Sequence, residues 1–230
     1  MGRVIAIVVA ILSLVSAASA GTITITNTFD LGQSIPVGAP GPAAPAILTN
    51  IGGTGLTVMG VTFSFTEGGS GFAVYGDTIG TGGLSLTYLS DPVLDGPGDG
   101  TLTLQFADPT TFLQFGAVVG SMSLEVQGVT IALTGPNGFS ATQYLSTAPG
   151  SGPLSEGQYT YNDLNNPITQ AVLTFTSDAG TNPFALDNLT YNVNDLGSPD
   201  PAPEPASLTL LGCGILLVGA VSLARRRCAA

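Results

Sequence analysis

Polar and apolar residues take strict turns along much of this chain, as in Thr22-Ile23-Thr24-Ile25-Thr26 and Thr101-Leu102-Thr103-Leu104-Gln105-Phe106. Successive side chains of a strand point to opposite faces, so such segments bury one face and leave the other in water. Residues 58–65 set Val61, Phe63 and Phe65 on one face, and Leu84, Leu86 and Tyr88 repeat the spacing. The pattern predicts further strands over residues 112–119, 121–127, 129–134, 139–145, 171–176 and 184–193. About ten short strands result, rich in Thr, Val, Ile, Leu and Phe and separated by Gly, Pro, Asn and Asp. Pro136-Asn137-Gly138 marks a tight turn between two of them, and residues 35–45, with their prolines, read as a loop. No part of the body carries a helical period. One-sided strands in this number must pack sheet on sheet, which predicts an all-β domain, a β-sandwich or jelly roll.

The alternation stops at both ends. Arg3, an apolar run over residues 4–15 and Ala18-Ser19-Ala20 have the parts of a signal peptide over residues 1–20. Signal peptidase would cut it between Ala20 and Gly21. Residues 206–224 carry no charge; a helix of that length measures about 28 Å, enough to span a bilayer. Arg225, Arg226 and Arg227 follow directly, a stop-transfer cluster that keeps residues 225–230 cytoplasmic. Pro199, Pro201, Pro203 and Pro205 make residues 197–205 an extended linker. One exported domain, residues 21–196, is expected between them.

Charge sharpens this division. The four cationic residues are Arg3 and the three tail arginines, there is no His, and all fifteen carboxylates lie between these two segments. The body is a polyanion, which removes the electrostatic basis of nucleic-acid binding. It also forbids internal salt bridges. A buried carboxylate there needs backbone donors, hydroxyls, a proton or a metal ion. Both cysteines, Cys213 and Cys228, fall outside the body, so burial rather than disulfides must stabilise it.

Without His, Cys or Lys the body has no imidazole base, thiolate or Schiff-base amine, and no usual zinc ligand set. Two carboxylates suffice for glycoside hydrolysis, but the body has no Trp platform and no cation, and we expect no enzyme. Asp91, Asp95 and Asp99 on a Gly/Pro-rich segment offer hard oxygen ligands for Ca²⁺; the competing reading is a solvated turn. Tyr159 and Tyr161 share one face beside hydroxyl and amide groups, which suits a glycan groove, though cross-strand packing also explains them.

Pro203-Glu204-Pro205, one apolar span and the Arg cluster together resemble the PEP-CTERM sorting signal of Gram-negative bacteria, with Ala202 where many such tails have Val. The resemblance implies a precursor anchored in the inner membrane. An exosortase, an integral-membrane cysteine peptidase or transpeptidase, would then cut near the motif and send the protein to the cell surface or an exopolysaccharide-rich matrix. Gly60-Val61-Thr62-Phe63, Leu102 to Phe106 with Pro109 and Phe115-Gly116, and Phe184 to Tyr191 are similar to the β-sandwich body of many such proteins. That last segment is also similar to the final strand of jelly-roll carbohydrate-binding modules. The likeness implies a structural Ca²⁺ ligand at Asp187, against which stands a carboxylate that accepts backbone amides. The expected function is a structural or adhesive surface protein. The alternatives are a module binding exopolysaccharide, with or without Ca²⁺, and a carboxylate-dependent glycan hydrolase.

Overall fold

The structure is a computed structural model that describes residues 22–67, 71–78, 86–98, 100–150, 152–175 and 183–194. The chain divides into a unit up to Asp195 and a second from Leu196 onward. The signal peptide with Ala18, Ala20 and Gly21, the Pro203-Glu204-Pro205 motif, the apolar span and the Arg cluster lie outside the described residues. Among the described residues no helix is long and apolar enough to cross a membrane.

The strands are β1 (Thr22–Asn27), β2 (Thr49–Ile51), β3 (Leu56–Val58), β4 (Val61–Thr66), β5 (Ala73–Asp77), β6 (Val93–Pro97) and β7 (Thr101–Thr110). They continue as β8 (Phe112–Val119), β9 (Glu125–Thr134), β10 (Ser140–Pro149), β11 (Ser155–Asn162), β12 (Ile168–Phe175) and β13 (Pro183–Asn194). Sheet A runs β2-β5-β6-β13-β8-β11, and sheet B runs β10-β9-β12-β7-β4-β3. All the described pairings are antiparallel, and where the alternation is clean its polar side faces outward and its apolar side inward. The sheets meet where Ala148 and Pro149 of β10 pair with Glu156 and Ser155 of β11. At the other margin β2 and β3 follow one another through a turn in which Gly52 carbonyl oxygen accepts Phe65 N–H at 3.2 Å. The result is a jelly-roll-like sandwich that nearly closes into a barrel.

The inward residues form one core between the sheets. Phe175 of sheet B stacks on Phe184 of sheet A with centroids 3.9 Å apart, and Phe29, Phe63 and Tyr75 meet edge to face. Buried hydroxyls find acceptors: Tyr75 donates to Asn27 Oδ1 at 2.7 Å, and Tyr191 to the Met59 carbonyl.

β13 organises sheet A. On one side it follows β8; on the other it pairs with β6 over Pro183–Leu186 and with β1 over Leu189–Asn194. The change of partner falls at Asp187-Asn188, where the register shifts and Asn188 takes a left-handed φ of 53°. Asn tolerates that conformation better than most residues.

Three expectations need correction. Residues 121–127 do not form a separate strand. Ser121 and Ser123 hydroxyls bond Glu125, and such local bonds compete with a ladder; β9 then runs from Glu125 to Thr134, with an irregularity between Glu125 and Val129 where Gln127 takes a φ of 65°. Leu86 to Tyr88 belong to an irregular strap rather than a strand. Residues 93–97, expected as part of an Asp-rich turn, are β6 in the interior of sheet A, because Val93 and Leu94 are both fully buried, one on each face.

Candidate functional site

Carboxylates of the body act as anchors. A strap of residues 86–92 crosses the outer side of sheet A, and two acids hold it through its backbone. Glu156 Oε2 on β11 accepts Thr87 N–H at 2.8 Å and Tyr88 N–H at 3.0 Å. Asp187 Oδ2 accepts Ser90 N–H at 2.9 Å and the Ser90 hydroxyl at 3.2 Å. Asn188 adds its side-chain amide to the Tyr88 carbonyl at 3.3 Å. Beneath the strap a second, smaller core gathers Leu89, Val93, Val118, Leu154 and Ala185, with Leu86 against it. Gly116 of β8 makes the close approach feasible, since a Cβ there would lie 2.2 Å from the Tyr88 carbonyl oxygen.

Asp187 is fully buried, and four donors reach its two oxygens. Besides Ser90, Asn188 N–H reaches Oδ1 at 2.6 Å and Asn188 Nδ2 reaches Oδ2 at 3.1 Å. Burial pushes its carboxyl up to about 6; the Ser90 and Asn188 donors pull the other way, and the Asp30 charge adds a little upward. Of the two readings of Asp187, the geometry shows the acceptor of backbone amides. Its lone pairs face N–H and O–H groups, which does not suit a Ca²⁺ ligand.

The other acids are spread out. Asp91 is exposed and precedes the cis bond to Pro92, Asp95 is half-buried in β6, and Asp99 lies outside the described residues. Asp95 Oδ1 is buried without a hydrogen-bond partner. Burial, then the Asp77 charge and to a lesser degree that of Asp91, lift its carboxyl to about 7, against the pull of its own backbone N–H. Among the described residues no three His, Cys, Asp or Glu side chains converge on one point. Asp91 and Asp95 thus meet no third carboxylate among the described residues.

Tyr159 and Tyr161 also take a different place from the glycan groove. Each is only 5 % exposed. Tyr159 packs on Phe115 and donates to Gln143 Oε1 at 2.6 Å, and Tyr161 donates to the Asn166 carbonyl. Their shared face points into the core, so cross-strand packing is their role. Phe72, Tyr88 and Tyr144 are the exposed aromatics among the described residues, and Tyr144 of β10 is the most exposed of them at 51 %.

Tyr144 stands at one margin of the outer face of sheet B, which is ordered in three rows. Tyr144, Thr130, Thr174, Thr101 and Thr66 lie side by side across the strands. Next come Thr142, Ala132, Val172, Thr103 and Ser64. The third row is Ser140, Thr134, Gln170, Gln105, Thr62 and Thr57. No position in these rows is ionisable at neutral pH. The third row is internally bonded. Thr134 Oγ1 donates to Gln170 Oε1 at 3.4 Å, Gln170 Nε2 to Gln105 Oε1 at 3.1 Å, and Gln105 Nε2 to the Thr169 carbonyl at 2.9 Å. Thr57 and Thr62 hydroxyls pair at 2.8 Å. These bonds fix both amide planes and leave further N–H groups and lone pairs for a ligand.

The sequence reading missed this face, although its signal was present. It lies in the polar half of each alternating segment, Thr101, Thr103 and Gln105 among them, where hydroxyls and amides stand in place of the usual Lys and Glu. What the strands alone did not reveal was that β4, β7, β12, β9 and β10 set these halves side by side.

No family model and no curated protein matches the chain. Among solved structures it is similar to family 29 carbohydrate-binding modules. One, a variant in complex with mannohexaose, has 12 % identity and a TM-score of 0.35, covering 64 % of this chain and 92 % of that one. A family 29 module from Piromyces equi has 10 % identity and a TM-score of 0.35, with coverage of 78 % and 95 %. At these identities and scores nothing about residues or ligand carries over.

Proposed function

We propose that the chain is an exported, non-enzymatic β-sandwich protein that binds polysaccharide through the outer face of sheet B. The observation that carries the reading is that face itself, an uncharged array, mostly of hydroxyls and amides around Ala132 and Val172, with an exposed tyrosine at its margin. Such a surface matches a polyhydroxylated chain in kind. It offers both donors and acceptors, aromatic area for a sugar face, and no charge that the ligand would have to neutralise. Five strand intervals make it about 24 Å wide. The spacing of about 4.8 Å between strands is close to the length of one hexose in an extended chain. Fixed glutamine planes reduce the entropy lost on binding.

The terminal segments support export, exosortase sorting and a final place at the cell surface or in the matrix; they rest on the sequence patterns alone. A glycan hydrolase is disfavoured by the position of the two acids with raised pKa values. Asp187 is sealed beneath the strap, and Asp95 lies in an interior strand with Asp77 and Asp91 as its charged neighbours.

Affinity electrophoresis of the full chain in mild detergent tests the reading. Hydroxyethylcellulose and galactomannan should retard it, and anionic alginate should not. Migration unchanged by either neutral polymer would end the polysaccharide reading.

A further inference from the structure

Sheet A has an outer face of its own, half of which the strap leaves open. There Thr26 of β1, Thr190 of β13, Gln114 of β8 and Thr160 of β11 form one cross-strand row. Thr26 and Thr190 hydroxyls pair at 3.1 Å, and Gln114 Nε2 donates to Thr160 Oγ1 at 3.2 Å. Thr24 and Asn192 pair in the adjacent row, and so do Phe112 and Asn162. None of these side chains is ionisable at neutral pH.

Phe112 is the unusual member. The alternation turns Leu113 and Phe115 into the core and Phe112 outward, where it stays partly exposed among amides and hydroxyls. Its backbone is pinned. Asn192 Oδ1 accepts Thr111 N–H at 2.9 Å and Phe112 N–H at 3.1 Å, together with the Thr110 hydroxyl at 2.6 Å. An aromatic ring on fixed backbone, flanked by donors and acceptors, has the parts of a sugar-stacking position.

From this geometry we infer a second polysaccharide site on the open half of sheet A, of the same neutral ligand class as the sheet B face. The inference rests on the reading of the sheet B face given above. The occupant is a neutral glycan because the row supplies hydroxyl and amide groups without a cation, and the surrounding polyanionic body repels acidic polymers. Sheets of a sandwich pack about 10 Å apart with outer faces pointing in opposite directions. A chain held on each face is therefore tied to the other through one small domain. The protein is a cross-linker of matrix polysaccharide, and its adhesive role follows from two-sidedness rather than from a tight single site.

Isothermal titration of the full chain in detergent with cellohexaose and with mannohexaose decides the matter. Two sites per chain are expected for the sugar that binds. Phe112→Ala should leave one site, and the Gln105→Ala/Gln170→Ala double variant should leave the other. Because loss of Phe112 also risks loosening β8, a Gln114→Ala/Thr160→Ala variant with an unchanged melting temperature must weaken the same site by about tenfold or more. A single site that both sheet A variants leave intact overturns the second site while the polysaccharide reading stands. No heat with either sugar, and no retardation by either polymer, overturns both.

Discussion

Asp187 is fully buried with four donors around its two oxygens, in a body with no cation to pair with it. Asp187→Asn would set an amide N–H against the Ser90 or Asn188 N–H groups, leaving buried donors unsatisfied. A loss of about 1–3 kcal/mol is expected, equal with and without Ca²⁺, measured by urea unfolding. A Ca²⁺-dependent difference beyond that of matched monovalent salt would restore the metal-ligand role. Asp95 and Asp187 also set a pH dependence. Their folded pKa values, about 7 and about 6, lie above the unfolded value of about 3.9. Between these limits the folded state holds more protons than the unfolded chain, so stability falls as pH rises. The melting temperature should be higher at pH 5 than at pH 8, and Asp95→Asn should flatten the slope. A melting temperature that rises toward pH 8 contradicts the assignment. At this scale the sequence showed that a buried acid has no basic side chain to pair with, but not which acids are buried. That depends on Ser90 reaching Asp187 across nearly a hundred residues of chain.

The strap is the element whose fit is tightest. Gly116→Ala places a methyl group against the Tyr88 carbonyl oxygen, where backbone rather than a flexible side chain must give way. Lifting the strap strains its bonds to Glu156 and opens the core around Leu89 and Val118. We expect a cost of about 1–3 kcal/mol and faster amide exchange at Thr87 and Tyr88 by hydrogen-exchange mass spectrometry; exchange unchanged at both would show that the strap is not seated on β8. Elements with clean alternation, such as β1, β4 and β7, were legible because each must bury one face whatever its neighbours are. β6 was not, since Val93-Leu94-Asp95-Gly96-Pro97 lacks alternation and owes its strand to burial on both sides by neighbours far along the chain.

For the whole molecule, the terminal segments and the body make separate demands. Export predicts a mature protein beginning Gly21-Thr22-Ile23 by Edman sequencing, and sorting predicts loss of Arg225–Arg227 in an exosortase-bearing host by intact mass. An uncleaved Met1 or a retained tail in the surface form would count against each in turn. The all-β class follows from the pattern of residues, because a two-residue period with little charge admits no other way to bury its apolar faces. The sequence likewise leaves the body without a basic side chain to pair its carboxylates. Strand pairing and packing, not the residue pattern, make Tyr159 and Tyr161 core and Asp187 an anchor, and align scattered threonines and glutamines into faces. Alternation states that a side chain points outward, but cross-strand register, set by pairings distant in the chain, states which other side chains stand beside it.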